Sequence, residues 1–325
     1  MSKPFLSLSP GSSIPLPASD GMAESVHIID EPSILAINAA IATGRPLLVR
    51  GEPGTGKSQL ARAAAEALKR TFVSHAVDSR TETRDLLWSV DAVARLAEAQ
   101  MMGALTKEDE NALRDRLKIL NFVQPGPLWW AFDWSDAAKQ AEAVRTTILK
   151  PRDKWKVEDG VVVLIDEIDK ADPSVPNALL DALGHGRFEA PGRPPVVMQS
   201  ACLPLVVITT NEERALPDAF LRRCLVLHLS LPTQRDKLIS VLVQRGRAHF
   251  PAAKCADAVL VKAAELLAND RETLRNRDLC PPGLAEYIDL LRAVIEQKTT
   301  EEDQCALLEK IAKFALEKHP TESSR

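Results

Sequence analysis

Five short apolar runs mark the first two thirds of the chain, at 46–51, 71–77, 160–167, 204–211 and 224–232, and read PLLVRG, TFVSHAV, GVVVLIDE, PLVVITTN and CLVLHLSLP. Valine, leucine and isoleucine in runs without polar alternation predict strands covered on both faces, as in a parallel sheet wrapped by helices. The expected core is therefore a doubly wound α/β layer. Ahead of the first run, Ile28, Ile29, Ile34, Leu35, Ile37, Ala40 and Ile41 suit a helix that begins after Pro32. Beyond Pro232 the rhythm changes. Helical patterns follow one another over roughly 234–249, 255–268, 284–298 and 302–317 with no strand between them. Thr233 and Asp236 predict a capping box at the first. The pattern divides the chain into an α/β domain over 22–231 and a helical lid domain with a tail over 232–325. Residues 1–21 are dominated by Ser, Pro and Gly, too poor in apolar side chains to offset the entropy of ordering. A loose leader is expected there.

The first strand runs directly into Gly-Glu-Pro-Gly-Thr-Gly-Lys-Ser at 51–58, and an alanine-rich helical pattern follows. This spacing, strand before and helix after, is what a phosphate-binding glycine loop requires. Glycine permits positive φ and close backbone approach, so successive N–H groups point at one cluster of phosphate oxygens beside a helix N-terminus. Gly51, Pro53, Gly54, Thr55, Gly56, Lys57, Ser58 and Gln59 are the candidate nucleotide-binding residues. Lys57 would reach the β and γ phosphates, and the Ser58 hydroxyl would bind Mg²⁺.

A second element must supply a carboxylate for the metal and activate water. VVVLIDEIDK provides it, because a buried strand ending in Asp166 and Glu167 delivers adjacent carboxylates to the carboxyl edge, where α/β sheets bind ligands. Asp166 is the expected Mg²⁺ partner and Glu167 the group that orients and polarises the attacking water. The fourth run ends in Asn211, a neutral amide suited to the γ-phosphate or to that water.

With these motifs in this order, the chain resembles the AAA+ ATPases, in particular the MoxR-like and dynein-related branch. The resemblance covers roughly 26–298 and rests on GEPGTGKS, on PGPLWWAF upstream of GVVVLIDEIDKADPSVPNALLDAL, and on TTNEERALPDAFLRRC. It implies a P-loop module with a five-stranded parallel sheet and a small helical lid. ATP with Mg²⁺ would be the cofactors, and the assembly a homo-oligomer, by family habit a hexameric ring. It also implies a protein client or a partner with a von Willebrand factor A domain. The segment LPDAFLRRC matches the one that carries the arginine finger in such proteins, with Arg223 at the finger position and Arg222 in reserve. Many of these proteins place an arginine at the start of a lid helix, whereas this chain has Pro281, Pro282 and Gly283 there, leaving Arg275 or Arg277 as substitutes. Segments around 85–105, 133–159 and 185–204 exceed what a simple crossover needs and read as insertions, the last as a hairpin with His185 on its surface. Four tryptophans, Trp129, Trp130, Trp134 and Trp155, cluster in or beside the second. Core packing is their simpler reading, partner contact the alternative.

Composition narrows the partners. Hydrophobic residues at 45% and charged residues at 26% describe an ordinary globular chain, and a formal net charge of −4 disfavours nucleic acid. No apolar run is long enough to span a bilayer, and a cytoplasmic protein is expected. The cysteines, Cys202, Cys224, Cys255, Cys280 and Cys305, lack metal-binding spacing and read as reduced, partly buried thiols. Besides the main reading, an ATPase ring that remodels or matures a protein partner, two readings stay open: a nucleotide-gated switch or scaffold with little turnover, and a nucleic-acid motor or GTP-dependent subunit.

Overall fold

The computed structural model describes residues 5–18, 22–104, 114–151, 155–199, 203–277 and 279–316. In chain order the elements begin with β1 (Ser13–Leu16), β2 (Ser25–Ile28), α1 (Glu31–Thr43), β3 (Leu47–Arg50), α2 (Lys57–Leu68), β4 (Thr71–Ala76), β5 (Trp88–Val90), α3 (Ala92–Ala104), β6 (Val123–Pro125), α4 (Pro127–Phe132) and α5 (Trp134–Ala143). They continue with β7 (Val161–Asp166), α6 (Ser174–His185), β8 (Arg187–Phe188), β9 (Val196–Val197), β10 (Leu205–Thr210), α7 (Asp218–Leu221), β11 (Leu225–His228), α8 (Arg235–His249), α9 (Asp257–Arg275), α10 (Leu284–Ile295) and α11 (Glu301–Ala315). The chain forms two compact units, one of residues 1–7, 35–49 and 64–227, the other of 8–34, 50–63 and 228–325.

The first unit is built on a five-stranded sheet of order β11-β3-β10-β7-β4. β7 lies between two parallel neighbours, with Leu205 opposite Val162 on one side and Thr71 opposite Val161 on the other. That placement explains its sequence. Val161–Ile165 is buried throughout, and each such side chain contributes roughly 1.5–3 kcal/mol on leaving water. The five strands fall inside the five apolar runs and are shorter by one to several residues, because the runs also take in flanking residues such as Gly51, Gly160, Glu167, Pro204 and Asn211 that lie outside the strands.

Trp129 and Trp130 on α4 are buried in the same core as Phe132, Leu128 and Val163. The α4 helix starts with Pro127 behind Gly126, a favoured arrangement for a proline with no N–H to satisfy. The indole Nε1 of Trp129 donates to Asp136 Oδ2 at 2.8 Å, Arg193 lies 4.5 Å over the same ring, and Trp130 meets Trp134 edge-on at 4.9 Å. These aromatics form core, and the contact-surface reading does not apply to Trp129 or Trp130. In the third insertion β8 and β9 pair antiparallel, and His185, exposed, faces Asp181.

In the second unit, α8 to α11 enclose their own core around Leu242, Leu260, Leu267, Tyr287 and Leu291. Four local expectations fail there. Ser13–Leu16, inside the stretch expected to be loose, pairs antiparallel with Ser25–Ile28, because Ile14 and Leu16 alternate inward and are buried. For the same reason Val26 and Ile28 belong to a strand, and the helix after them starts at Glu31, one residue ahead of Pro32. The α8 helix has Gln234 at its N-cap without a side-chain bond, so the Thr233–Asp236 box does not form. The α9 helix runs to Arg275 instead of stopping near 268, since Arg271 and Leu274 continue its buried stripe. Residues 1–4 and 19–21 of the leader and Cys202 lie outside the described residues. Cys224 and Cys255 are buried, which pushes their thiols up to about 12 and about 11; Cys280 is exposed and Cys305 half-buried.

Candidate nucleotide site

Within the first unit the acids at the end of β7 are fixed by two neighbouring segments. Asp166 closes the strand, and its Oδ1 accepts the Thr209 hydroxyl at 2.5 Å. The same hydroxyl accepts the Glu167 backbone N–H at 2.9 Å. Glu167 itself is left-handed, at φ 60° and ψ 49°, a conformation that costs a side-chain-bearing residue on the order of 1–2 kcal/mol. The turn carries its carboxylate off the strand line. One oxygen, Oε1, accepts the Asn211 amide at 2.9 Å, and the other accepts the Lys170 ammonium. The Glu167 bond raises the Lys170 pKa above the ordinary lysine value. Asp166, Glu167 and Asn211 thus lie together at this strand end.

Thr209 and Lys170 were missed by sequence reasoning. Thr209 had a readable signal, a hydroxyl in the wholly buried strand LVVITT. Lys170 lies three residues past Glu167 in a 3₁₀ turn, where side chains at that spacing eclipse. Asp169, also buried, accepts the Glu213 backbone N–H at 3.0 Å.

The candidate finger segment belongs to the same unit. Arg222 and Arg223 are both exposed, just past the single-turn helix α7, and Arg223 Nη1 donates back to the Ala219 carbonyl at 3.1 Å.

The glycine loop lies in the second unit. Residue 51 has φ 152°, and a Cβ there would drive into the Leu229 carbonyl, so only glycine fits. Lys57 opens α2 and is buried, its Nζ donating to the carbonyls of Gly51 at 2.7 Å and Glu52 at 2.9 Å. The Thr55 hydroxyl donates to the Glu52 carbonyl at 2.9 Å. These bonds close the loop around the start of the helix. Ser58 and Gln59, on the first turn of α2, are half-buried.

The loop is also gripped by α9 and α10. Arg271, buried, donates from Nη2 to Glu52 Oε2 at 2.6 Å and from Nη1 to the Pro282 carbonyl, while Arg275 reaches Glu52 Oε1 at 3.4 Å. The Ala285 N–H donates to the Gly54 carbonyl at 3.1 Å. A Cβ on Gly283 would lie 2.7 Å from the Pro53 carbonyl oxygen, so no side chain fits there without a shift. Of the two substitutes proposed for a lid arginine, Arg275 meets the loop through Glu52, and Arg277 is exposed. Arg271 was not foreseen, because an arginine within DRETLR reads as solvated.

Beside the loop lies a pocket of about 290 Å³, lined among others by Ile29, Asp30, Thr55, Leu231, Val241 and Arg245. Its size is near the lower end for small-molecule sites, about 300 Å³. Burial works against the Arg245 charge, and the Asp30 carboxylate offsets part of that cost.

A glycine loop between a strand and a helix, with paired acids closing another strand of a five-stranded sheet and a helical region after it, defines an AAA+ module. The sequence profile of the AAA domain, dynein-related subfamily, matches residues 46–245, well over half the chain, and the protein belongs to that family. No curated protein matches the sequence. A solved structure from Cytophaga hutchinsonii, of a protein with only a provisional ATPase designation, is 15% identical over 86% of this chain and 78% of its own, with a TM-score of 0.37. That likeness is too loose to bear on fold or function. Among the described residues, no helix is long and apolar enough to cross a membrane.

Proposed function

We propose that this protein binds ATP with Mg²⁺ and hydrolyses it, as one subunit of a homo-oligomeric ring, by family habit a hexamer, that remodels or matures a protein partner. Such a partner could carry a von Willebrand factor A domain. The observation that carries the hydrolytic reading is the setting of Glu167: its carboxylate is held by Asn211 at 2.9 Å, with Asp166 beside it tied to Thr209. A carboxylate held at a strand end by an amide is poised to accept a proton from water.

Family membership supports the nucleotide, and the residues at the loop fit its phosphates. Lys57 donates to the Gly51 and Glu52 carbonyls, and a phosphate oxygen can take the place of either. Among the described residues no three His, Cys, Asp or Glu side chains gather as a metal cage. Magnesium suits such a site, because it is commonly held by one or two protein oxygens together with phosphates. Ser58 and Asp166 are the residues to hold it, and it would offset charge on the β and γ phosphates. Glu167 orients and polarises water, Asn211 keeps the carboxylate in place, and Arg223, with Arg222 in reserve, serves a neighbouring subunit's γ-phosphate. The pocket at Thr55 and Val241 is the place for the base.

One observation favours a second reading, a nucleotide-gated switch with little turnover. Gly283 stands where related proteins carry a lid arginine, and the space there is taken by the loop.

The test is the ATPase rate per subunit against protein concentration, with sedimentation under the same conditions and Glu167→Gln as the comparison. A rate that climbs as rings form, and that falls about a thousandfold in Glu167→Gln while nucleotide stays bound, is the expected result. A near-zero rate in assembled parent protein, with or without client, selects the switch.

A further inference from the structure

We infer that Arg45 is a positioning residue for the arginine finger, holding the backbone of Arg222 and Arg223 in the geometry that serves a neighbouring subunit. The inference rests on the finger reading proposed above. Arg45 sits between the end of α1 and the start of β3, far in sequence from the finger segment but in the same unit. Its Nε donates to the Arg223 carbonyl at 3.0 Å, and its Nη2 donates to the Arg222 carbonyl and, at 3.2 Å, to the Cys224 carbonyl. One rigid, planar fork therefore grips three successive carbonyls.

The finger segment needs such a grip. The α7 helix is a single turn, Asp218–Leu221, too short to be stable by itself, and its Phe220 and Leu221 carbonyls accept the Arg223 and Cys224 N–H groups. The next three carbonyls, of Arg222, Arg223 and Cys224, meet the Arg45 guanidinium, which holds the backbone beyond the helix. On the far side the chain is anchored by the Leu225 N–H, which donates to the Pro46 carbonyl at 2.9 Å, one residue from Arg45. Arg222 and Arg223 thus ride on a link tied at both ends to the same turn, with their side chains left exposed. Arg45, Arg222 and Arg223 line one concavity of about 370 Å³ with Gly44, Pro46 and Leu183.

The same turn leads through β3 into the glycine loop. Arg45 therefore joins the strand that carries a subunit's own phosphate loop to the finger that it presents to its neighbour.

The test separates action in trans from a general structural role. Arg45→Met should lower turnover about ten- to a hundredfold, as expected when a reacting group is misplaced by about 1 Å, with KM for ATP unchanged within about twofold. Mixed with Lys57→Ala protein, it should recover activity, because its intact nucleotide site then meets the partner's intact finger. Arg223→Ala mixed with Lys57→Ala is the reference. Rescue of both supports the inference. Rescue of Arg223→Ala but not of Arg45→Met overturns it and leaves the finger reading standing. Rescue of neither removes the finger reading and, with it, this role for Arg45. Should Arg45→Met fail to fold, Arg45→Lys keeps one cation in place of the fork; a partial loss, rescued in the same mixture, is expected, and full parental activity overturns the inference.

Discussion

The glycine loop and the acid-bearing end of β7 reach order by opposite routes. The loop is shaped mostly by its own backbone: Lys57 and Thr55 bond carbonyls within six residues, and Gly51 adopts a dihedral that its neighbours in sequence anticipate. The acid end is shaped by side chains from distant segments, Thr209 and Asn211 lying more than forty positions beyond the acids they hold. The first kind of site is a local motif. The second exists only once β10 has paired with β7 in the register that sets Val207 opposite Leu164 and Ile208 opposite Ile165. Damage to the loop should therefore act on binding, and damage to the acid end on turnover.

Gly51→Ala should strike hardest at that contrast. The added methyl meets the Leu229 carbonyl and the residue must leave a φ of 152°, so nucleotide affinity should fall by about a hundredfold or more in a fluorescent-nucleotide titration. Affinity within threefold of the parent would mean that the loop is shaped elsewhere. Thr209→Val keeps the volume but removes the hydroxyl that joins Asp166 to the Glu167 N–H, and should cut turnover about tenfold with affinity nearly unchanged, a loss of roughly 1–2 kcal/mol. Equal losses in both quantities would erase the distinction between the two regions. Lys170→Met removes an ion pair whose partners are both half-buried and in reach of solvent, and a two- to threefold fall in turnover is expected. Because the Lys170 pKa is raised in the folded protein, its pairing with Glu167 is fully present below the ordinary lysine range and fades only as pH rises through the elevated value. The parent and Lys170→Met should accordingly show a constant ratio of rates between pH 6 and pH 9, measurable by a coupled phosphate assay.

A contrast of the same kind separates Glu52 from its neighbours in the loop. Its position in GEPGTGKS says nothing about a partner, yet its carboxylate meets Arg271 and Arg275, more than two hundred residues away in sequence. Arg271 looked like one charge among several on a polar stretch. It is buried because the spacing from Leu267 through Arg271 to Leu274 keeps it on the inward stripe of α9, where an ion pair and the Pro282 carbonyl compensate its charge.

The sequence by itself determined the five strands, the glycine loop and the acid pair, since each rests on short-range patterns: unbroken apolar runs, fixed glycine spacing, and charges adjacent to the strand they close. It also determined the run of helices after β11, because the helical period repeats over many residues. What only the tertiary structure decided is which groups meet across the chain. The pairing of β1 with β2, the burial of Trp129, the grip of Thr209 on Asp166 and the fork of Arg45 on three carbonyls all depend on contacts between segments that no local pattern relates. Side-chain hydrogen bonds are directional and short-ranged, so they form only after sheet pairing and core packing have set the backbones within about 3 Å of one another's reach.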